Sequence, residues 1–260
     1  DYVFFATKHD YSMDYVPEVL KKGVKVIDLS ADFRLSNGKL WQETYDSKHR
    51  ADDLLPQAIY GLPEYSAKKI KAANLVAVPG CYPTASILGL LPVIPYLQKN
   101  SKIILDAKSG ISGAGKSSVE NGLAEEIKEN FKSYNVSFHR HQPEIKDFLK
   151  TEFNIDHEII FIPHLLPLFR GEYVTIYCEL TQSDLSLADL YKTYYEKHQL
   201  VRIKKKGDIA QIKDVINTFF CDISVSYAFQ SNTIVINSAI DNLLKGAASQ
   251  AIQCLDIMTD

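Results

Sequence analysis

Apolar and polar residues alternate in short blocks along the first hundred positions. The apolar run at 1–6 and the β-branched runs at 24–29 and 75–78 predict buried strands. Residues 13–22 have helical apolar spacing and end before a C-cap glycine. Residues 83–98 form a long apolar helical pattern, which Pro92 and Pro95 should end or kink. Because these strands alternate with helices, the pattern predicts a parallel sheet covered on both faces.

The pattern changes after residue 100. β-branched and aromatic runs predict strands at 103–107, 159–162, 173–180, 224–228 and 233–237, and amphipathic spacing predicts helices at about 119–130 and 185–198. This grouping favours an α+β domain with a mostly antiparallel sheet. Residues 36–55 are polar and lack periodicity, which predicts a long loop. We therefore expect a first domain at 1–100, a second at 101–240 and a final helix within 241–260.

Composition narrows the class of protein. The chain has 260 residues, 46% of them apolar and 23% charged, as in soluble globular proteins. A net charge of −3 gives no electrostatic case for nucleic-acid binding. No segment resembles a signal peptide or a membrane span, and the four cysteines lack CxxC spacing. These features predict a protein of the reducing cytoplasm, with no membrane or nucleic-acid partner and no disulfide framework.

One cysteine occupies a distinctive position. Cys81 follows the turn pair Pro79-Gly80 at the end of a predicted strand, and Pro83 suits the first turn of a helix. A thiol at a helix N-terminus has its thiolate stabilised by unpaired N–H groups and the macrodipole. Cys81 is therefore a candidate nucleophile, with a buried structural cysteine as the alternative. The other three cysteines lie in strand or helix patterns and are predicted to be buried.

A second group of chemically active side chains lies near residue 140. His139, Arg140, His141 and Glu144 fall within six residues. In a strand, the two histidines would share a face. Histidine can move protons near neutral pH, as a cysteine acyl intermediate requires. Metal binding is the competing interpretation, but no third ligand is suitably spaced.

Several blocks together resemble one family. The segment VAVPGCYPTASILGLLP at 76–92 is similar to the active-site signature of N-acetyl-γ-glutamyl-phosphate reductases, within the semialdehyde dehydrogenase superfamily. Further matching blocks occur in family order: DLSADFR at 28–34, YGLPE at 60–64, SGISGAGK at 109–116, HRHQPEI at 139–145, PHL at 163–165, RG at 170–171 and IDNLLKG at 240–246.

The resemblance implies a Rossmann-type dinucleotide-binding domain, a following α+β domain, and a C-terminal helix that returns to the first domain. It implies NADPH-dependent reduction of N-acetyl-γ-glutamyl phosphate to its semialdehyde in arginine biosynthesis, through a thioester on Cys81 with His139 as acid and base. It also implies a small-molecule substrate and a homo-oligomer, either a dimer or a tetramer.

The resemblance extends to binding residues. His141 and Glu144 would orient His139 or bind substrate, and the candidate cations for the anionic substrate are Arg140, Lys116 and Arg170. Arg170 could instead form a structural ion pair, and Asn242 could simply cap the final helix. The glycine-rich segment after residue 108 could be only a flexible turn, although its backbone N–H groups could approach a ligand. The expected cofactor-binding residues are Ser109, Gly110, Ser112, Gly113, Asn242 and His9.

Two departures from the family pattern leave alternatives open. No glycine-rich turn precedes the strand at 1–6, so we expect an N-terminally incomplete chain that binds NADPH weakly by itself. Residues 6–9 read ATKH, where the family commonly has ALPH, which weakens the assignment of His9. The alternatives are a paralogue acting on an aminoadipyl phosphate, a catalytically inert fragment, and a cysteine hydrolase with a Cys–His pair.

Overall fold

The computed structural model describes residues 1–115 and 119–260, which form two compact units. The first unit comprises Asp1–Gly80, Pro143–Ile155 and Ala247–Asp260, and the second comprises Cys81–Gln142 and Asp156–Gly246. The chain first passes between them at the bond from Gly80 to Cys81. The functional division at 1–100, 101–240 and 241–260 stays a prediction.

Eight α-helices lie within the described ranges. They are α1 (Ser12–Lys21), α2 (Gly38–Tyr45), α3 (Pro63–Lys71), α4 (Cys81–Leu90), α5 (Ala124–Ile127), α6 (His141–Phe153), α7 (Leu187–Tyr195) and α8 (Ser249–Thr259). None of these helices is long and apolar enough to cross a membrane.

The first unit contains a four-stranded parallel sheet. Its strands are β1 (Tyr2–Phe5), β2 (Lys25–Asp28), β3 (Ile59–Tyr60) and β4 (Leu75–Ala77), in the order β1-β2-β4-β3. The α8 helix packs on this unit: Cys254 is buried in a core cluster with Ile70 and Val76, and the Tyr2 hydroxyl donates to the Met258 carbonyl at 3.0 Å. The parallel sheet and the returning C-terminal helix are confirmed.

The predicted long loop at 36–55 is wrong. The segment contains α2, which Asn37 caps by accepting a hydrogen bond from the Leu40 backbone N–H at 2.9 Å. Trp41 is completely buried in this helix and anchors it in the core of the first unit. A short 3₁₀ helix, Asp52–Gln57, follows. One large apolar residue per turn is enough to bury a helix that has no extended apolar periodicity.

The second unit contains a seven-stranded sheet. Its strands are β5 (Lys102–Gly110), β6 (Lys132–Ser133), β7 (Glu158–Leu166), β8 (Glu172–Glu179), β9 (Val201–Ile203), β10 (Cys221–Tyr227) and β11 (Thr233–Ile240). The order is β6-β7-β5-β8-β11-β10-β9, with β5 parallel to β7, β9 parallel to β10, and the other neighbours antiparallel. The expectation of a mostly antiparallel sheet is confirmed. The α4 helix packs on β8 and β11 in its centre.

The apolar helix from residue 83 ends at Leu90 as α4, and a 3₁₀ segment containing Pro92 and Pro95 follows, because proline cannot continue the helical hydrogen bonds; the expected break at these prolines is confirmed. Two other local expectations need correction. The helix expected at 119–130 is interrupted at Gly122, whose φ of 89° is left-handed, so only the short α5 is regular. Residues 139–141 are not a strand, since α6 begins at His141.

Candidate active site

Cys81 is the first residue of α4, as the sequence predicts. It is partly exposed, whereas Cys178, Cys221 and Cys254 are buried. The neighbouring backbone is close: a Cβ added to Gly246 would lie 2.7 Å from the Cys81 Cβ atom. The thiol therefore occupies a fixed, accessible position at a helix N-terminus.

A carboxyl group that sequence reasoning did not identify lies beside Cys81. Glu172, the first residue of β8, is completely buried, and its carboxyl lies within interaction distance of the Cys81 thiol. Burial raises the pKa of the Glu172 carboxyl to about 8, although the neighbouring Cys81 thiol acts in the opposite direction. The only indication in the sequence was an acidic residue at the start of an otherwise apolar strand.

Two tyrosines, Tyr82 and Tyr134, lie near Cys81 and His139, and the sequence analysis did not identify either of them. The Tyr82 ring packs edge-on against His139 and His141, with ring centroids 5.9 and 5.8 Å away. Burial raises the pKa of Tyr82 well above its ordinary value and that of Tyr134 to about 12. The Tyr82 hydroxyl donates to the His164 carbonyl at 3.4 Å. Both tyrosines lie close enough to Cys81 for its charge to raise their pKa further. Both phenols therefore stay neutral near neutral pH.

His139 precedes α6 and is buried, with an exposed fraction of 8%. Burial, assisted by the positive charge of Arg140, lowers the pKa of His139 to about 4, so the ring is neutral near neutral pH. Its Nδ1 atom accepts a hydrogen bond from the His141 backbone N–H at 3.2 Å. That bond places the ring proton on Nε2, which is therefore a donor. The structure brings His139 and His141 together, with ring centroids 4.9 Å apart.

Glu144 lies in the first unit and is almost completely buried. It accepts hydrogen bonds from the Tyr60 hydroxyl and the Gly80 backbone N–H, both at 2.9 Å, and pairs with Arg34 at 3.4 Å. These contacts fix the backbone of the residue that precedes Cys81. Its role in orienting His139 or binding substrate stays a prediction.

The predicted cofactor-binding segment is an ordered turn. Ser109 and Gly110 end β5, while Ser112 and Gly113 lie in the 3₁₀ turn Ile111–Ala114. The backbone N–H groups of residues 110, 111 and 112 donate to carbonyl oxygens within residues 168–171. These three N–H groups are therefore already paired within the protein, and the role of the segment in cofactor binding stays a prediction.

Asn242 joins this turn. Its Oδ1 accepts the Gly171 backbone N–H at 2.9 Å, and its Nδ2 donates to the Ser112 hydroxyl at 3.0 Å. A side chain at Gly113 would meet the Ser109 hydroxyl at 2.5 Å. Four of the predicted cofactor residues thus form one cluster. Asn242 does not cap the segment after it, because the Asp241 carboxylate accepts those N–H groups.

The candidate cations occupy different surroundings. Arg170 forms an ion pair with the buried Asp241 at 3.3 Å, which is the alternative left open for this residue. Arg140 is exposed beside His139, and Lys116 lies outside the described residues. Over the ranges 1–115 and 119–260, no group of histidine, cysteine and acidic residues could hold a metal ion.

His9 lies in the first unit, between β1 and α1. It is exposed, and its ring centroid is 5.1 Å from that of Tyr45. Its role in cofactor binding stays a prediction.

Comparison with known proteins identifies the family. The semialdehyde dehydrogenase NAD-binding domain matches residues 1–73, and the semialdehyde dehydrogenase dimerisation domain matches residues 81–242. The N-acetyl-γ-glutamyl-phosphate reductase of Nitrosococcus oceani is 42% identical over 99% of this chain and 75% of its own length. That of Halothermothrix orenii is 44% identical over 99% of this chain and 76% of its own length.

Solved structures share the fold. Aspartate semialdehyde dehydrogenase II of Vibrio cholerae superposes with a TM-score of 0.76 at 18% identity, covering 99% of this chain and 79% of that one. The Candida albicans aspartate semialdehyde dehydrogenase, solved with NADP, gives 0.70 at 12% identity, with 100% and 77% covered. The chain therefore belongs to the semialdehyde dehydrogenase family, and within it to the N-acetyl-γ-glutamyl-phosphate reductases.

Proposed function

We propose that this protein reduces N-acetyl-γ-glutamyl phosphate to its semialdehyde with NADPH, a step of arginine biosynthesis. The main support is the accessible Cys81 thiol at the start of α4, followed by Tyr82, whose ring packs against His139. The 42–44% identity to reductases of that name supports the same substrate. The matched dimerisation domain supports a homo-oligomer, and we place the enzyme in the cytoplasm.

The covalent step takes place at Cys81. The thiolate attacks the acyl carbon, so that a sulfur–carbon bond forms while the bond from carbon to the phosphate oxygen breaks and phosphate leaves. When NADPH is bound, its nicotinamide would supply the hydride that the resulting thioester requires. The sulfur–carbon bond then breaks, Cys81 leaves as the thiolate, and the aldehyde is released. The helix N-terminus stabilises the Cys81 thiolate both before it attacks and when it is released with the aldehyde.

His139 supplies the hydrogen bond on the acyl oxygen. Because its ring is neutral and Nδ1 already accepts a hydrogen bond, Nε2–H is the atom that can donate. A donor there stabilises the negative charge that develops on oxygen as sulfur attacks. His141 holds this orientation through its backbone N–H. Arg140 is the exposed cation beside His139, and we assign it to the anionic groups of the substrate.

The turn at 111–114 fits one end of a nicotinamide dinucleotide. Gly113 leaves no room for a side chain beside Ser109, so the turn packs closely on the end of β5. Asn242 is held by Gly171 and Ser112, so its amide is fixed in orientation. We propose that these residues hold the nicotinamide. The match of residues 1–73 to a NAD-binding domain supports NADPH as the cofactor.

The direct test measures reaction rates of the full-length enzyme. It should oxidise NADPH with N-acetyl-γ-glutamyl phosphate, and reduce NADP when given the semialdehyde and phosphate. Cys81→Ser should abolish both activities while the fold persists, because serine is similar in size but forms no thiolate. Cys178→Ser, at a buried cysteine, is the matched control.

Two outcomes would contradict the proposal. Retention of more than about a tenth of wild-type activity in Cys81→Ser would exclude the covalent route. Faster turnover of the aminoadipyl phosphate, which has one methylene more, would assign the paralogous activity instead. The comparison must be made by rate, because one methylene changes binding by only about 1–3 kcal/mol.

A further inference from the structure

The Glu172 carboxyl has no part in the steps above, although it lies next to the nucleophile. It is completely buried and lies beside the Cys81 thiol. Neither carboxylate oxygen has a hydrogen-bond partner in the part of the chain the structure describes. A buried carboxyl with so few partners destabilises a fold, so its presence calls for a function.

The surroundings of Glu172 determine its charge. In the sheet it lies opposite Ser109 of β5 and Ile240 of β11, neither of which is charged. The titratable groups that bear on it are Cys81 and Tyr82 of α4 and Tyr134, which precedes α6.

No cation pairs with Glu172 within the described ranges. The helical segment that contacts Cys81 through Gly246 contains one charged residue, the buried Lys245, and no ion pair links it to Glu172. Within the described ranges Glu172 therefore forms no ion pair, and its partners in the sheet are uncharged.

We propose that Glu172 is a positioning residue for Cys81: its carboxyl keeps its proton and donates a hydrogen bond to the Cys81 thiolate. This rests on the proposed function, in which that thiolate is the nucleophile. A neutral acid stabilises the thiolate without placing a second negative charge beside it, whereas an ionised carboxylate would repel it.

The protonation state agrees with this role. Burial raises the pKa of Glu172 to about 8, so the carboxyl is mainly protonated near neutral pH. During the thioester stage the sulfur is uncharged and needs no donor. When the sulfur–carbon bond breaks, the O–H group again meets a thiolate, so the same hydrogen bond favours both attack and release.

The test measures alkylation of Cys81 by iodoacetamide in the full-length protein, located by mass spectrometry, as a function of pH. Glu172→Leu removes the donor and should slow alkylation about tenfold near neutral pH, the scale of one hydrogen bond to a charged group. Glu172→Gln keeps a neutral N–H donor and should stay within about threefold of wild type. Glu179→Gln, at the other end of β8, is the matched control and should change nothing.

Thermal unfolding of each variant separates reactivity from stability. Glu172→Leu should be at least as stable as wild type, because it replaces a buried polar group with an apolar one. Unchanged or faster alkylation in Glu172→Leu would overturn the proposal, and so would an equal loss in Glu172→Gln. The alkylation assay contains no substrate, so it tests the role of Glu172 separately from the reaction. If alkylation depends on Glu172 but the protein reduces no acyl phosphate, the proposed function is rejected and the role of Glu172 is not.

Discussion

Replacing Gly246 with alanine should disable Cys81 without touching any group that does chemistry. The added Cβ would lie 2.7 Å from the Cys81 Cβ atom, 3.1 Å from its Cα atom and 3.2 Å from the Ile240 Cδ1 atom. Carbon atoms pack favourably at about 3.5–4.0 Å, so the start of α4 and the segment around residue 246 must separate by up to about 1 Å. The two nearest atoms are the Cβ and Cα atoms of Cys81, and no side-chain rotation can move them away from the new methyl group.

The displacement has two measurable effects. Overpacking of this kind costs about 1–3 kcal/mol of unfolding free energy, measurable by urea denaturation. A nucleophile misplaced by about 1 Å reacts about 100-fold more slowly. We therefore expect kcat to fall about 100-fold, although the Cys81 side chain itself is unchanged. Alkylation of the thiol should show whether its pKa also rises, since the thiol would leave its place at the helix terminus.

Gly89→Ala is the matched control, at the opposite end of α4. Its Cβ would meet the Ile176 Cδ1 atom at 2.6 Å, but that methyl is the end of a flexible side chain and can move. We expect it to alter stability while Cys81 alkylation stays at the wild-type rate. A Gly246→Ala enzyme with kcat within about twofold of wild type would refute the packing argument.

Three further predictions concern groups around the site. His139→Asn should lower kcat about 10²–10⁴-fold because the acyl-oxygen donor is lost, whereas His141→Asn should act more through KM. The free energy of unfolding should fall as pH rises from 4.5 to about 8, because folded Glu172 holds its proton more tightly than the unfolded chain. Glu172→Leu should remove that slope, which is at most about 1.4 kcal/mol per pH unit. Tyr60→Phe should cost about 1–3 kcal/mol, since Glu144 loses a donor in a buried site.

Each of these has a contrary outcome. Steady-state kinetics in which His141→Asn has the larger effect on kcat would exchange the two histidine roles. An unchanged pH dependence of urea unfolding in Glu172→Leu would show that the carboxyl is ionised when folded. For Tyr60, the control is Tyr65→Phe, whose hydroxyl donates to the more exposed Glu152, and an equal loss in both variants would exclude a special role for the Glu144 contact.

The parts of the fold predicted correctly are those determined by nearby residues. The Pro79-Gly80 turn pair follows an apolar run and precedes Pro83, so the position of Cys81 followed from its neighbours. The β-branched runs likewise predicted most of the second sheet. The helix starting at His141 was missed because His139 and His141 alternate like strand residues, whereas Ile145, Phe148 and Leu149 had the helical spacing.

The parts that were missed depend on long-range pairing. Glu172 reaches Cys81 only because α4 packs on β8, and nothing near Glu172 in sequence indicates a thiol. The tautomer of His139 depends on a single backbone contact that no residue pattern reveals. Asn242 was expected to contact a cofactor or cap a helix, but not to bridge Gly171 and Ser112.

The discontinuous first unit has a consequence for folding during synthesis. Its last component, α8, packs on α3, and Tyr2 and Met258, which share a hydrogen bond, are separated by 256 positions along the chain. A ribosome adds about 5–20 residues per second, so the apolar surface around Ile70 and Val76 stays exposed for many seconds before α8 is made and can pack on it. The second unit ends at Gly246 and is complete earlier. The nascent chain therefore exposes apolar surface of the first unit until α8 has been synthesised. Chaperone binding should matter most during that interval.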